Sequence, residues 1–376
     1  MELVDQLAAV ESEYRAFAAQ HVAPHAAEID RQESIPESVI DALRAAGLFG
    51  LGFPPPDADL VAANLRHGLL HEALGAASAS VQGLVNVHHM GGSPIARWGT
   101  RAQKEQWLPR LASGEVLAAI AITEPNVGSD AAAVETRATR DGDSWRIRGM
   151  KRWITAGLRA DVFVLLAATD GGPTTFIVPR ETPGLSFVPI HGAVGCRGYM
   201  LAELHLDDCR VGDDQLLGKP GFGVSHVAAT GLDAGRYNLA WGCVGLGRAC
   251  LEASFDYARG RRQFGSALVE FQLVQRMLAR MMTDVHAARL MCWRAGELRG
   301  RRDPAAIKES TMAKYFASTM VNRVAYDALQ IHGANGVGNA LPIERYWRDA
   351  RIMEIIEGST QVLETVIARY GEQERA

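Results

Sequence analysis

Six apolar residues set the strongest constraint on this chain: Val274, Leu278, Met281, Val285, Ala288 and Cys292 recur at steps of four and three. An α-helix turns every 3.6 residues, so the six share one face, and that face must be buried against other helices. Pro304 separates this helix from another that runs towards Leu329. Helical spacing rich in Ala, Leu and Glu also fills residues 1–114, where Pro36 and Pro54-Pro55-Pro56 cut it into separate helices. Between these regions the period changes. Trp145 and Ile147 alternate with polar neighbours after Asp141-Gly142, a hairpin-turn signal. Short β-type runs follow at 162–166, 174–178, 185–189 and 204–206. The expectation is a multidomain α+β chain. It has an N-terminal helical domain (1–114), a central small β-barrel or sandwich (115–223) and a C-terminal four-helix bundle (224–376). At 376 residues the chain is long enough for two or three cores.

Composition excludes several classes. A net charge of -4 argues against a protein that coats nucleic acid. No apolar run approaches the roughly 20 residues that cross a bilayer. The opening segment carries acids and lacks the basic and apolar regions of a signal peptide. Cys196, Cys209, Cys243, Cys250 and Cys292 form no CxxC pair, which predicts reduced thiols in a cytoplasmic protein.

Three segments carry chemistry. Thr123-Glu124-Pro125-Asn126-Val127-Gly128-Ser129-Asp130 packs hydroxyls and glycine into a turn. Such a loop either aims N–H groups and hydroxyls at a ring edge or phosphate, or is a simple Asx/Gly turn. Lys151-Arg152-Trp153-Ile154-Thr155 offers a flat indole beside a hydroxyl, suited to a planar heterocycle; taken alone it reads better as a strand with a core Trp. In Ile355-Ile356-Glu357-Gly358-Ser359-Thr360-Gln361, a desolvated Glu357 suits a general base, or it sits in the first turn of the last helix. His67 and His71 stand four apart on a helix, but with no third ligand evident no metal is expected. His88-His89 read as packing or pocket lining. Gly242, Gly245 and Gly247 read as close helix packing, since no strand precedes them.

In this order and spacing the segments resemble the acyl-CoA dehydrogenase family across nearly the whole chain. The matches are 123–130, 151–155, Arg261 with Phe264 and Gly265, and Arg348 to Gly358. The resemblance implies FAD as cofactor, with Thr123, Val127, Gly128 and Ser129 along the flavin ring and pyrophosphate. Trp153 is implied beside the isoalloxazine, with Thr155 near its N5. Arg261, Phe264, Gln330, Gly333 and Asn335 are implied to reach the FAD of a neighbouring subunit in a homodimer or homotetramer. Ser359 and Gln361 are implied to touch the cofactor from the terminal helix. Glu357 is implied as the catalytic base. Asp233, Arg236 and Gly358 are implied beside an acyl thioester carried on CoA or on an acyl carrier protein. Electron-transfer flavoprotein or oxygen is implied as the acceptor.

Two features mark departures from a fatty-acid member. The stretch Gly52-Phe53-Pro54-Pro55-Pro56-Asp57 is short. The runs 240–245 and 353–359 resemble the branch that serves polyketide and peptide antibiotic pathways, where a similar dehydrogenase helps make hydroxymalonyl or methoxymalonyl units on a carrier protein. The preferred expectation is therefore a short acyl group on a carrier protein. The first alternative is α,β-desaturation of a free acyl-CoA. The alternative of another class is a flavin-bearing DNA-protective binding protein. Oxidation of a C–C bond and oxidation of a hydroxyl- or aldehyde-level carbon both stay open.

Overall fold

The computed structural model describes residues 2–374. Six α-helices come first: α1 (Glu2–His21), α2 (Ala26–Gln32), α3 (Glu37–Ala45), α4 (Leu60–Ala77), α5 (Ala79–Trp98) and α6 (Arg101–Ser113). Prolines and caps set these boundaries. Pro36 is the N-cap of α3, Asp59 caps α4 through its carboxylate, and Thr100 with Gln103 forms a capping box on α6. Both α4 and α5 are buried around most of their circumference, so they form the centre of the helical region rather than its coat.

Eight strands follow: β1 (Ala118–Ala121), β2 (Arg137–Asp141), β3 (Ser144–Ile154), β4 (Val162–Thr169), β5 (Gly172–Pro179), β6 (Leu185–Pro189), β7 (Ala202–Gly212) and β8 (Leu216–Leu217). They make one mixed sheet in the order β6-β7-β3-β2-β4-β5-β8. The Asp141-Gly142 turn lies between β2 and β3, as its residues predict. β1 and β2 run parallel to β4, with Ala118–Ala121 opposite Val162–Leu165 and Arg137 opposite Ala168. The residues between β1 and β2 must therefore bulge away from the sheet, and these are residues 122–136.

A buried ion pair fixes that bulge. Lys151 on β3 donates to Glu124 at 2.6 Å and to the Ile122 carbonyl at 3.1 Å. Glu124 also accepts the N–H groups of Glu135 at 2.6 Å and Thr136 at 2.9 Å. Both side chains are essentially fully buried. Burial alone would raise the Glu124 pKa, but its hydrogen bonds carry it below the usual range. The desolvation cost falls on Lys151, whose ammonium is pushed down to about 8.

The chain returns to helix with α7 (Ala229–Gly260), a small hairpin of β9 (Arg262–Gln263) and β10 (Ser266–Ala267), then α8 (Gln272–Gly300), α9 (Ala306–His332), α10 (Ala334–Val337), α11 (Ile343–Met353) and α12 (Thr360–Gln373). Of the predicted stripe on α8, Leu278, Met281, Val285, Ala288 and Cys292 are buried. Helices α7, α8, α9 and α11 pack together, and α4 and α5 pack across α7. Glycines allow that crossing: a Cβ on Gly75 would lie 2.3 Å from the Gly242 carbonyl oxygen, and one on Gly245 2.0 Å from that of Glu72. The glycines of α7 thus serve helix packing, as their context predicts. The five cysteines are free and buried. Among the described residues no helix is long and apolar enough to cross a membrane.

Removing one partner of a buried pair leaves an uncompensated charge. Lys151→Met is expected to cost about 3–5 kcal/mol in urea unfolding, and adding Glu124→Gln should restore much of that loss.

Candidate active site

The carboxylate of Glu357 stands at the junction of α5, α7 and α9. It lies in a turn before α12, not in that helix's first turn as one reading of the sequence had it. Its φ is 57° and that of Gly358 is 92°, two left-handed residues in succession. For a glutamate this conformation costs roughly 1–3 kcal/mol, and such strain collects at functional sites. The turn is clamped from two helices. Lys314 of α9 donates to the Gly358 carbonyl at 2.7 Å, and Arg236 of α7 donates to the Glu357 carbonyl at 3.4 Å.

The two carboxylate oxygens differ. Oε1 accepts from the side-chain amide of Asn86 on α5. Oε2 is buried and has no partner. A Cβ on Gly235 would stand 2.2 Å from Oε2, so α7 admits the carboxylate only because residue 235 is glycine. Burial raises the Glu357 pKa to about 7, against the opposing pull of Lys314, the Asn86 hydrogen bond and Arg236. Burial also lowers Lys314 to about 8 and depresses Arg236. The backbone N–H of Glu357 makes no hydrogen bond among the described residues. One residue therefore presents both an unpartnered carboxylate oxygen and a free N–H donor.

Asp233 and Arg236 occupy one side of α7, but they do not pair with each other. Asp233 accepts from Arg299 at 2.6 Å and keeps its other oxygen buried without a partner. Arg236 turns to the Glu357 turn instead.

Thr123, Val127, Gly128 and Ser129 lie in the bulge between β1 and β2. Val127 is buried and closes a tight turn with Glu124 through reciprocal backbone hydrogen bonds. A Cβ on Gly128 would meet nothing within 4 Å. Arg152 donates its N–H to the Thr123 carbonyl at 2.9 Å, which brings this loop against the end of β3. There Trp153 has φ 60° and its indole is 50% exposed, so it is not a core Trp. Thr155 follows, and Ala156 then donates to the Tyr199 carbonyl at 2.7 Å. Burial, and then the neighbouring Cys196, raise the Tyr199 pKa.

A second group is brought together on the outside. Arg261 and Phe264 lie at the β9–β10 hairpin, and Phe264 is 97% exposed at φ 52°. Gln330, Gly333 and Asn335 lie at the end of α9 and start of α10, all exposed. Asn335 donates to the Tyr257 hydroxyl at 2.8 Å, which ties this segment to the end of α7. Ser359 and Gln361 open α12, and Ser359 makes no side-chain capping hydrogen bond.

These residues fit a flavin. The open space beside Gly128, the strained and exposed Trp153 and the orphaned Glu357 oxygen are features that a planar polar group would use.

Comparison with known proteins decides the family. The N-terminal, middle and C-terminal domains of acyl-CoA dehydrogenase match residues 5–115, 119–209 and 223–371. The chain belongs to the acyl-CoA dehydrogenase family. It is a flavin-dependent oxidoreductase with FAD as cofactor. The mouse mitochondrial short-chain specific acyl-CoA dehydrogenase is 35% identical over 364 residues, 95% of this chain and 87% of its own. Butyryl-CoA dehydrogenase from Megasphaera elsdenii superposes with TM-score 0.92 at 31% identity, covering 97% of each chain. FkbI, for biosynthesis of a methoxymalonyl extender unit, superposes with TM-score 0.87 at 31% identity over 96% of this chain and 99% of its own. The prolyl acyl carrier protein oxidase AnaB does so with TM-score 0.89 at 28% identity, over 97% and 98%.

Three residues around Glu357 were missed from sequence: Asn86, Gly235 and Lys314. Asn86 and Lys314 sit in no recognisable motif, Gly235 falls between the motif residues Asp233 and Arg236, and Asn86 lies 271 positions from the residue it touches. One expectation changes outright. His67 and His71 were set aside for want of a third ligand, yet the fold brings His89 to them.

Proposed function

We propose that this acyl-CoA dehydrogenase family member oxidises a short acyl thioester carried on an acyl carrier protein, with Glu357 as the base. The observation that carries this reading is the divided carboxylate of Glu357. One oxygen is anchored by Asn86, the other is bare and enclosed, and the group titrates at about 7. A base poised there accepts a proton at neutral pH and is not neutralised by solvent.

The α-proton of a thioester becomes removable when negative charge on its carbonyl oxygen is stabilised. The free N–H of Glu357 is the donor for that oxygen, and one such donor is worth roughly 3–4 kcal/mol. Glu357 Oε2 takes the α-proton. Asn86 keeps the carboxylate turned towards it. Arg236 and Lys314 hold the turn and offset the charge. Thr123, Val127, Gly128, Ser129, Trp153 and Thr155 bind and orient the flavin, with Ser359 and Gln361 at its edge. When bound, FAD supplies the acceptor for the hydride that leaves the substrate. Asp233, Arg236 and Gly358 line the thioester.

The exposed Arg261, Phe264, Gln330, Gly333 and Asn335 have few partners in their own chain and are assigned to the flavin of a second copy, in a homodimer or dimer of dimers. Exposed Leu273, Met282 and Leu290 along α8 add apolar surface for that assembly. The expected electron acceptor is an electron-transfer flavoprotein.

The carrier assignment is supported by likeness to FkbI and AnaB together with the runs 240–245 and 353–359. A CoA thioester is the second reading, favoured by the likeness to the short-chain and butyryl-CoA enzymes.

Glu357→Gln should keep FAD bound and lower kcat by about 10²–10⁴-fold; near-normal turnover would remove Glu357 from the mechanism. Because the raised pKa leaves the carboxyl protonated below about 7, kcat/KM should rise with pH through that value. Asn86→Leu removes a bond that favours the carboxylate and should move this limb to higher pH. The same short acyl groups presented on a carrier protein and on CoA should give the higher kcat/KM on the carrier. A strong preference for CoA would overturn that assignment.

A further inference from the structure

Three histidine rings meet in the helical region between α4 and α5. His67 and His71 are one turn apart on α4, and His89 faces them from α5. His67 Nε2 lies 2.8 Å from His89 Nδ1 and 3.1 Å from His71 Nε2. All three nitrogens fall within 4.8 Å of one another, and all three rings are buried.

Hydrogen bonding among neutral rings does not close this cluster. The Phe49 carbonyl takes the Nε2 proton of His89 at 2.9 Å, so His89 Nδ1 carries a lone pair. The Gln82 amide nitrogen bonds the Asn238 carbonyl at 3.3 Å and directs its other hydrogen at His71 Nδ1, 3.1 Å away. That places the His71 proton on Nε2, where it points at His67 Nε2. A bare His67 Nε2 then faces the bare His89 Nδ1 across 2.8 Å. A protonated His67 Nε2 instead faces the His71 proton. One nitrogen is asked to donate and accept at once.

We propose that His67 Nε2, His71 Nε2 and His89 Nδ1 form a binding site for a divalent first-row transition metal of the Zn²⁺ type. A cation at the meeting point receives all three lone pairs. Tetrahedral Zn–N bonds of about 2.0–2.1 Å require N···N separations near 3.3 Å, a few tenths of an ångström from the two shorter contacts. Imidazole suits Zn²⁺, Cu²⁺ and Ni²⁺, and three His with a fourth position for water is an established zinc arrangement.

One of the three rings already has the outer contact such a ligand needs. A metal-bound His donates its other N–H to an acceptor that fixes the ring. His89 already has the Phe49 carbonyl. Metal binding at His71 Nε2 moves its proton to Nδ1, and a 180° turn of the Gln82 amide then accepts that proton while giving up the bond to the Asn238 carbonyl. Gly52 belongs to the same design: a Cβ there would stand 2.3 Å from the His89 ring, so the short segment before Pro54 can lie over the histidine only as glycine. The ion would tie α4 to α5, the helix that also carries Asn86.

FAD-bound protein freed of metal with a chelator should bind one Co²⁺ per chain, seen as a ligand-field band at longer wavelength than the flavin. It should bind one Zn²⁺ per chain by calorimetry, with a rise in Tm. His71→Gln and His89→Gln should each weaken binding at least 100-fold, whereas exposed His286→Gln should not. The wild-type titration does not depend on how the variants fold. No Co²⁺ band together with an unchanged Tm would overturn the site. So would one-to-one binding that survives His71→Gln, which would place the ion elsewhere.

Discussion

The turn at Glu357 is held by charges that the fold has desolvated. A left-handed conformation is strained at a glutamate. Lys314 and Arg236 hold both carbonyls of the turn, and each carries its positive charge into a region where charge is costly. Burial pushes the carboxyl towards its neutral form, and the cations and Asn86 pull it back. The balance leaves it near 7, where a small change in surroundings alters its charge at working pH. Gly235 makes the arrangement sterically possible.

The β region reaches this site through a second desolvated pair. Glu124 and Lys151 pin the bulge between β1 and β2, and that bulge leans on the end of β3 where Trp153 adopts its strained conformation. From there a backbone hydrogen bond joins Ala156 to Tyr199. Two buried ionic arrangements thus hold the bulge between β1 and β2 and the Glu357 turn.

What could be read in advance was local. The α8 stripe, the break at Pro304, the Asp141-Gly142 turn and the packing glycines of α7 all declare themselves through neighbours a few positions away. The motif residues Thr123, Trp153 and Glu357 were legible as a set by family resemblance, and the fold places the first two on one connected edge. The partners were not legible. Asn86, Gly235 and Lys314 act on Glu357 from three different helices, and nothing in the sequence surroundings of Asn86 or Lys314 distinguishes them from ordinary helical residues. Lys151 looked like part of a flavin motif, yet its charge is spent on Glu124. Asp233 reads from sequence as a thioester neighbour, yet one of its oxygens is taken by Arg299. His89 was dismissed as packing because only folding sets α5 across α4.

The central claim is that a carboxylate and a flavin flank a thioester's α-carbon. Its most direct test is to mix the FAD-bound protein anaerobically with short acyl thioesters, without an electron acceptor, and follow visible flavin absorbance. The account predicts that the band bleaches on mixing with at least one of them. A flavin that dithionite reduces readily but that stays oxidised with every carrier-bound and CoA-bound thioester would contradict it.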